Sequence, residues 1–389
     1  MFKTLHFNLF LATALTVATM TFILTSCVPA HNSEEPPQND PVIIAYVHNT
    51  VGDNWGPKGE VANKISHINY AFANVIGGKV VEGHEKDSAN MARLQELKKV
   101  NPDLKILISV GGWTWSDNFS DAALTADSRE IFAQSAIDFL QKHQLDGIDL
   151  DWEYPGQKGE DNIFRPEDKQ NFTALLQLVR EKLDSLAPDG QHYLLTIATG
   201  ANQRYLDHTE MDKASAYLDY VNIMTYDYHG AWALFTGHHS NLYPSESDTT
   251  TIARSSSRAV EEHLQAGIPA EKLVLGVPFY GRWWSGVNPE NKGLYQATEG
   301  EGGGHPFSRL EEEIINKNGF NRYWDESAKA PYLWQDSSRT FVTYEDPESL
   351  KLKIEYLKEK GLAGVMFWQF NSDSKNHTLL NTLAENLGK

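Results

Sequence analysis

From residue 41 onward, short apolar runs alternate with amphipathic stretches. Eight runs carry the marks of buried strands: 41–47, 67–75, 105–112, 145–154, 193–199, 220–226, 273–279 and 364–370. Each is short, rich in β-branched or aromatic residues, and bounded by Gly, Pro, Asp or Asn. The intervals are helical. In 166–186, Phe172, Leu175, Leu176, Val179, Leu183 and Leu186 fall on one helical face. The stretch 128–140 behaves likewise, with Asp127 or Ser128 as its N-cap, and 256–266 is a third case. Strands alternating with helices imply parallel pairing, so eight of them predict an α/β fold, a (β/α)8 TIM barrel of about 250 residues. Residues 41–389 exceed that length. The excess lies between the seventh and eighth strands, at 283–344. This segment has its own aromatics and glycines and a helix predicted over 310–317. It is too long for a structureless loop, and a small α+β insertion subdomain is expected there. It should rise on the C-terminal face of the barrel, where such folds place their active sites.

The fourth strand carries more than core. In Leu145-Asp146-Gly147-Ile148-Asp149-Leu150-Asp151-Trp152-Glu153-Tyr154-Pro155, four carboxylates fall within eight residues. Strand side chains alternate faces, so Asp149, Asp151 and Glu153 share one face at spacings of about 6–7 Å. Ile148, Leu150 and Trp152 take the other, which can pack under helices. Three like charges in a row are costly unless their surroundings shift the pKa values, and such shifts make acid catalysts. A solvated acidic edge strand would not need an apolar, aromatic opposite face.

Further candidates gather at the same ends of other strands. The sixth ends in Met224-Thr225-Tyr226-Asp227, and the seventh in Pro278-Phe279-Tyr280-Gly281-Arg282-Trp283-Trp284. Trp368 ends the eighth, Trp113 follows the third, and Tyr46 and Phe72 lie on the first two. Sugar rings present C–H faces that stack on aromatics and hydroxyls that need polar partners, so this mixture suits a carbohydrate cleft. Trp283, Trp284, Trp324 and Trp334 are expected mainly as subdomain core. Arg282 could bind substrate or pair with a carboxylate.

Composition narrows the choice of function. The chain has 389 residues, 34 basic and 52 acidic, for a formal charge of −18. An acidic surface argues against nucleic acid, whose phosphates need a basic one. No metal is expected: His238 and His239 are adjacent rather than i,i+4, and no HExxH occurs. No cofactor is expected either. Gly302-Gly303-Gly304 lacks the Lys-Ser/Thr of a phosphate loop and is read as a turn. The N-terminus stands apart. Residues 7–24 are almost wholly apolar after Lys3 and His6, in the manner of a secretory signal. Cys27, the one cysteine, follows in Leu24-Thr25-Ser26-Cys27. This resembles a bacterial lipobox, which implies a signal peptide over 1–26, lipidation of Cys27, and export to a membrane-anchored site at the outer membrane or cell surface. Residues 27–40, with Pro29, Pro36 and Pro37, form a linker.

Three motifs now carry a family resemblance. Asp146 to Glu153 resembles the DGxDxDxE signature of glycoside hydrolase family 18, the chitinases and their relatives. Ser109-Val110-Gly111-Gly112 resembles that family's SxGG motif, and Met224-Thr225-Tyr226-Asp227 its MxYD motif. The resemblance extends over 41–389. It implies Glu153 as general acid, Asp151 as the carboxylate that orients the substrate's N-acetyl group, and Asp149 as its deeper partner. It also implies Tyr226 as a hydroxyl on the acetamido group, with Asp227 and Met224 near the same sugar. Trp368 would floor the subsite on the non-reducing side and Trp113 stack on the other. Tyr46 and Phe72 would line the cavity, with Tyr280 and Arg282 on its wall; Asp146, Gly111 and Gly112 would be structural. The family is substrate-assisted, an exception to the two-carboxylate rule for retaining glycosidases. The implied partner is chitin or an oligosaccharide containing N-acetylglucosamine. Like-charge repulsion from Asp151 and Asp149 is expected to raise the pKa of Glu153. An endo-β-N-acetylglucosaminidase acting on N-glycans would use the same strand. A chitin-binding lectin would need no acid at Glu153.

Overall fold

The computed structural model describes residues 40–49, 55–188, 190–249 and 253–389. The expected signal segment, Cys27 and the expected linker up to residue 39 lie outside them. Eight parallel strands close into a barrel in chain order: β1 (Val42–His48), β2 (His67–Ile76), β4 (Lys105–Gly111), β5 (Gly147–Asp151), β6 (Leu194–Gly200), β7 (Tyr220–Met224), β8 (Leu273–Pro278) and β14 (Gly364–Trp368). Closure is direct, because β1 pairs with β14 at Val42↔Gly364 and with β2 at Ile44↔His67. A short strand β3 (Lys79–Glu82) folds back antiparallel on β2. All eight predicted strands are present.

Period-two alternation divides each strand between two cores. On β1, Val42, Ile44 and Tyr46 fill the barrel interior with Ala71, Val274 and Met366. Ile43, Ala45 and Val47 face outward and join the larger core beneath the helices. The helix Asp168–Leu186 buries Phe172, Leu175, Leu176, Val179 and Leu183, the face read from its periodicity. The helix Ala126–His143 starts earlier than predicted. Its cap is Thr125, not Asp127 or Ser128: the Thr125 side chain accepts from the Ser128 N–H, and Ser128 reaches back to the Thr125 N–H.

The insertion is a five-stranded antiparallel sheet in the order β10-β9-β13-β12-β11. Its strands are β9 (Tyr280–Trp284), β10 (Gly302–Pro306), β11 (Asn321–Asp325), β12 (Ala330–Gln335) and β13 (Thr340–Thr343). Three expectations are corrected here. The subdomain's sheet begins at Tyr280 rather than Trp283, with only a bend at Phe279 between β8 and β9. Gly302–Gly304 is strand rather than turn, paired to Trp284, Trp283 and Arg282. The predicted helix over 310–317 is one turn at Phe307–Arg309 continued by a wide turn at Leu310–Ile314, which the Ile315 N–H closes onto Leu310 O at 2.8 Å. Trp284 and Trp334 are buried as expected, whereas Trp283 and Trp324 are partly exposed.

Candidate active site

The acidic strand splits as its pattern predicts. Ile148, Leu150 and Trp152 are buried in the outer core, with the Trp152 ring stacked on Phe119 at 5.3 Å and edge-on to Phe172 at 5.4 Å. Asp149, Asp151 and Glu153 are buried too. The strand itself ends at Asp151, so Glu153 lies two residues past it rather than at its end. Its position is held by its own N–H, which donates to Ser116 Oγ at 2.8 Å.

The three carboxyls have different surroundings. Asp149 is deepest and fully engaged. Thr196 Oγ1 (2.5 Å), Ser109 Oγ (2.7 Å), Tyr46 OH (2.8 Å) and Asn222 Nδ2 (3.3 Å) all donate to it. Burial still pushes its pKa up against these donors. Asp151 is the opposite case: its Oδ1 is buried and finds no hydrogen-bond partner among the described residues. Burial, then the charges of Glu153 and Asp149, raise its pKa well above the carboxylate range. Glu153 is raised to about 7. Burial is the leading cause, the Tyr154 hydroxyl partly opposes it, and the charges of Asp227 and Glu160 add to it. The expectation of like-charge repulsion from Asp151 and Asp149 as the source is corrected: desolvation dominates, because the side chain is sealed in the barrel mouth.

Asp227 is the contrasting acid. It takes a left-handed backbone (φ 60°) three residues past the end of β7, and its side chain meets the insertion. Arg282 on β9 forks onto it, Nε to Oδ1 at 2.8 Å and Nη2 to Oδ2 at 2.6 Å. Burial would raise its pKa, but His239 and Arg282 more than offset this and hold it at about 2. Arg282 thus pairs with a carboxylate, one of the two roles expected for it. The guanidinium also lies 5.1 Å from the ring centres of both Tyr280 and Trp232.

Aromatics surround these groups. Trp368 and Phe72 stack at 5.5 Å, and the Tyr46 ring lies 6.0 Å from Trp368. Tyr226 and Tyr280 meet edge to face at 6.3 Å, while Met224 packs against the barrel interior beside Tyr226. Trp113, 49% exposed, stands over Tyr154 at 6.4 Å. Asp146 is remote from this cluster: it binds the Ile106 N–H (2.7 Å) and Lys98 Nζ (2.6 Å). Sequence reasoning missed Thr196 and Asn222, lone polar residues at inward positions of apolar strands. It also missed Trp232, 63% exposed in the loop after β7, although Trp232 follows the Met224–Gly230 cluster by two residues.

A buried acid held protonated at the C-terminal mouth of a barrel, between an unpartnered carboxyl and a cation-paired one, is glycosidase chemistry. The model of the glycosyl hydrolases family 18 matches residues 42–373. The chain belongs to this family. It is 49% identical over 329 residues to chitinase A1 of Niallia circulans, covering 80% of this chain and 47% of that protein, so it spans about half that relative's length. Chitinase 1 of Aphanocladium album is 34% identical over 361 residues, covering 87% of this chain and 82% of its own. Among solved structures, a family 18 N-acetylglucosaminidase from Paenibacillus barengoltzii has a TM-score of 0.83 at 44% identity, covering 89% of this chain and 99% of that one. A Bacillus thuringiensis chitinase has a TM-score of 0.84 at 37% identity, covering 90% and 70%. The family 18 chain thus gathers Asp151, Glu153, Tyr226 and Asp227 at the barrel mouth over Asp149, with Asp146 apart from them.

Proposed function

We propose that this family 18 protein is a chitinase that hydrolyses β-1,4 bonds between N-acetylglucosamine residues, with the substrate's acetamido group as nucleophile. The observation that carries this reading is the unequal state of the three carboxyls. Glu153 keeps its proton to about pH 7 and is the acid. Asp149 is consumed by four donors and is not free to attack. Asp151 has an unpartnered oxygen, suited to accept the N–H of an acetamido group rather than to serve as an anionic nucleophile.

The reaction then runs in two steps. Glu153 donates its proton to the glycosidic oxygen, and the C–O bond breaks. The acetamido oxygen bonds to the anomeric carbon, giving an oxazolinium ion whose positive charge Asp151 stabilises, with Tyr226 donating to the acetamido group. Water then attacks the anomeric carbon. Glu153, now a carboxylate, takes the water's proton, the acetamido C–O bond breaks, and the acid is restored with retained configuration. Trp368, Phe72 and Tyr46 would bear the sugar on one side of the cut and Trp113 the next.

The likeness to the Paenibacillus barengoltzii N-acetylglucosaminidase supports a second reading, release of single sugars from a chain end. Mass spectrometry of products from chitin hexamer, fully deacetylated chitosan hexamer and a high-mannose glycopeptide tests all of these. Internal cleavage of chitin alone supports the chitinase; monomer alone supports the second reading; glycopeptide release supports an endo-β-N-acetylglucosaminidase; binding without cleavage supports a lectin. Cleavage of the deacetylated hexamer would overturn substrate assistance. We further propose a signal peptide over 1–26, lipidation of Cys27 and export to the outer membrane or cell surface, read from the sequence alone. Incorporation of labelled fatty acid that is lost in Cys27→Ala checks this.

A further inference from the structure

His239 has no part in the chemistry above, yet it touches its machinery. Its side chain is fully buried, and neither ring nitrogen finds a hydrogen-bond partner among the described residues. Buried polar atoms are nearly always satisfied, so an orphaned ring beside a reaction site calls for a role. Its Nδ1 stands 3.7 Å from Asp227 Oδ1, just beyond hydrogen-bond reach, and its ring lies edge-on to Tyr280 at 5.4 Å. Catalytic hydrogen bonds are often long without substrate and tighten in the complex.

The backbone fixes the ring at a junction. The His239 N–H donates to Thr343 Oγ1 at 3.2 Å, and its carbonyl accepts from the Tyr228 N–H at 3.1 Å. Thr343 on β13 is the register partner of Arg282 on β9, and Tyr228 follows Asp227. One residue on, Ser240 donates to Thr225 O at 2.8 Å, and its carbonyl accepts from Lys353 Nζ at 2.6 Å. Barrel strand, insertion sheet and the helix Pro347–Lys360 therefore all meet at this segment. Preceding it, His238 Nε2 lies 3.2 Å from Asp325 Oδ2 at the end of β11.

We propose that His239 is a positioning residue: its Nδ1–H closes on Asp227 Oδ1 and, with the Arg282 fork, completes a three-point hold on the carboxylate whose charge acts on Glu153. The inference rests on the catalytic reading of Glu153 given above. The charged groups facing the ring are Asp227, Arg282 and Glu345, with the Tyr280 hydroxyl nearby. Burial lowers its pKa first, Asp227 and Glu345 oppose this, and Arg282 adds to it. Burial thus disfavours the charged ring and favours a neutral donor, with Arg282 as the permanent cation of the cluster.

The test is the pH profile of kcat/KM on chitin tetramer for wild type, His239→Leu, His239→Asn and both Asp227→Asn backgrounds. Removing the donor should lower kcat/KM by roughly ten- to a hundredfold, the scale of one hydrogen bond to a charged partner. It should also move the alkaline limb to lower pH, as a drifting Asp227 raises the pKa of Glu153 less. His239→Asn restores an N–H donor without a titratable ring and should recover both. In the Asp227→Asn background, His239→Leu should add no further shift. An alkaline limb in His239→Leu that overlays wild type overturns the proposal, as does a shift that persists without Asp227. A second readout needs no activity: the 15N shifts of the His239 ring in Glu153→Gln should show the proton on Nδ1. A proton on Nε2 overturns the inference even if His239→Leu fails to fold. Absence of chitin cleavage by wild type would sink the functional reading, while the tautomer still decides this one.

Discussion

Glu153 and Asp227 show how two carboxyls at one barrel mouth are driven apart. Glu153 is buried and Asp227 partly so, yet one stands at about 7 and the other at about 2, because Arg282 pairs with Asp227 and His239 stands beside it, whereas no cation among the described residues pairs with Glu153. The acid form of Glu153 is the working form, so kcat/KM should fall as pH rises through about 7. Glu153→Gln should lower kcat by roughly 10²–10⁴-fold or more, the usual share of general acid catalysis, while chitin-oligomer binding measured by calorimetry persists. Near-wild-type turnover in that variant would sink the assignment. Stability carries the same sign. The folded pKa lies above the unfolded value of about 4.3, so the contribution is fully present below that pH and is lost as pH rises through about 7. Glu153→Gln removes this loss, so its melting midpoint should gain on wild type between pH 4 and pH 8; a constant difference across that range would contradict the raised pKa. The spacing of Asp149, Asp151 and Glu153 was legible because period two fixes a shared face. Their separate protonation states were not, since these depend on Thr196, Asn222, Ser109 and Arg282, which arrive from other strands.

Elements were read most surely where a single periodicity ran unbroken, as on β1 and the helix Asp168–Leu186. They were misread where tertiary pairing overrode a local signal. Gly302–Gly304 looks like a turn, but the strand needs the missing side chain: a Cβ on Gly303 would lie 3.0 Å from Trp283 Nε1. The start of β9 was missed because Pro278-Phe279-Tyr280 holds no polar break, and its absence concealed that Tyr280 and Arg282 belong to the insertion rather than the barrel strand. The same close approach gives the SxGG motif its reason. Gly111 ends β4 at φ 103°, and a Cβ there would lie 2.4 Å from the Asp151 carbonyl and 2.6 Å from the Phe119 ring. Strain and backbone overlap act together, so Gly111→Ala should destabilise by about 3 kcal/mol or more in urea unfolding. It should also displace Asp151 and lower activity in whatever folded protein remains. A fully stable, fully active variant would show that β4 and β5 can separate without consequence.

At the scale of the molecule, part of the insertion continues the outer core of the barrel, and a buried ion pair lies at their junction. Phe307, Leu310, Leu333 and Val342 of the insertion belong to the same apolar cluster as the outward residues of the barrel strands. That union follows from the passage of β8 into β9 through the single buried bend residue Phe279, and no sequence signal marks it, because apolar residues do not declare which neighbour will cover them. Beneath it, Lys353 and Glu345 pair with each at 1% exposure. Lys353 also donates to Ser240 O (2.6 Å) and Ser240 Oγ (2.8 Å), and Ser349 Oγ donates to Glu345 Oε2 (2.6 Å). Glu345 closes the insertion, Lys353 lies on the helix that returns to the barrel, and Ser240 lies on the loop that carries His239. Lysine is almost never fully buried unless paired, and only the packed structure reveals this one inside. Desolvation of both charges nearly cancels their attraction, so the pair gives little net stability but makes either partner costly alone. Lys353→Met should therefore destabilise by about 3–5 kcal/mol, leaving Glu345 buried without its cation, whereas Lys353→Met with Glu345→Leu should recover most of that loss. The double variant separates stability from positioning. If the pair only stabilises, its recovery restores activity in full. If it also anchors Ser240, and through it His239 and Asp227, stability returns while kcat/KM on chitin tetramer stays depressed, since neither Met nor Leu can hold the Ser240 carbonyl.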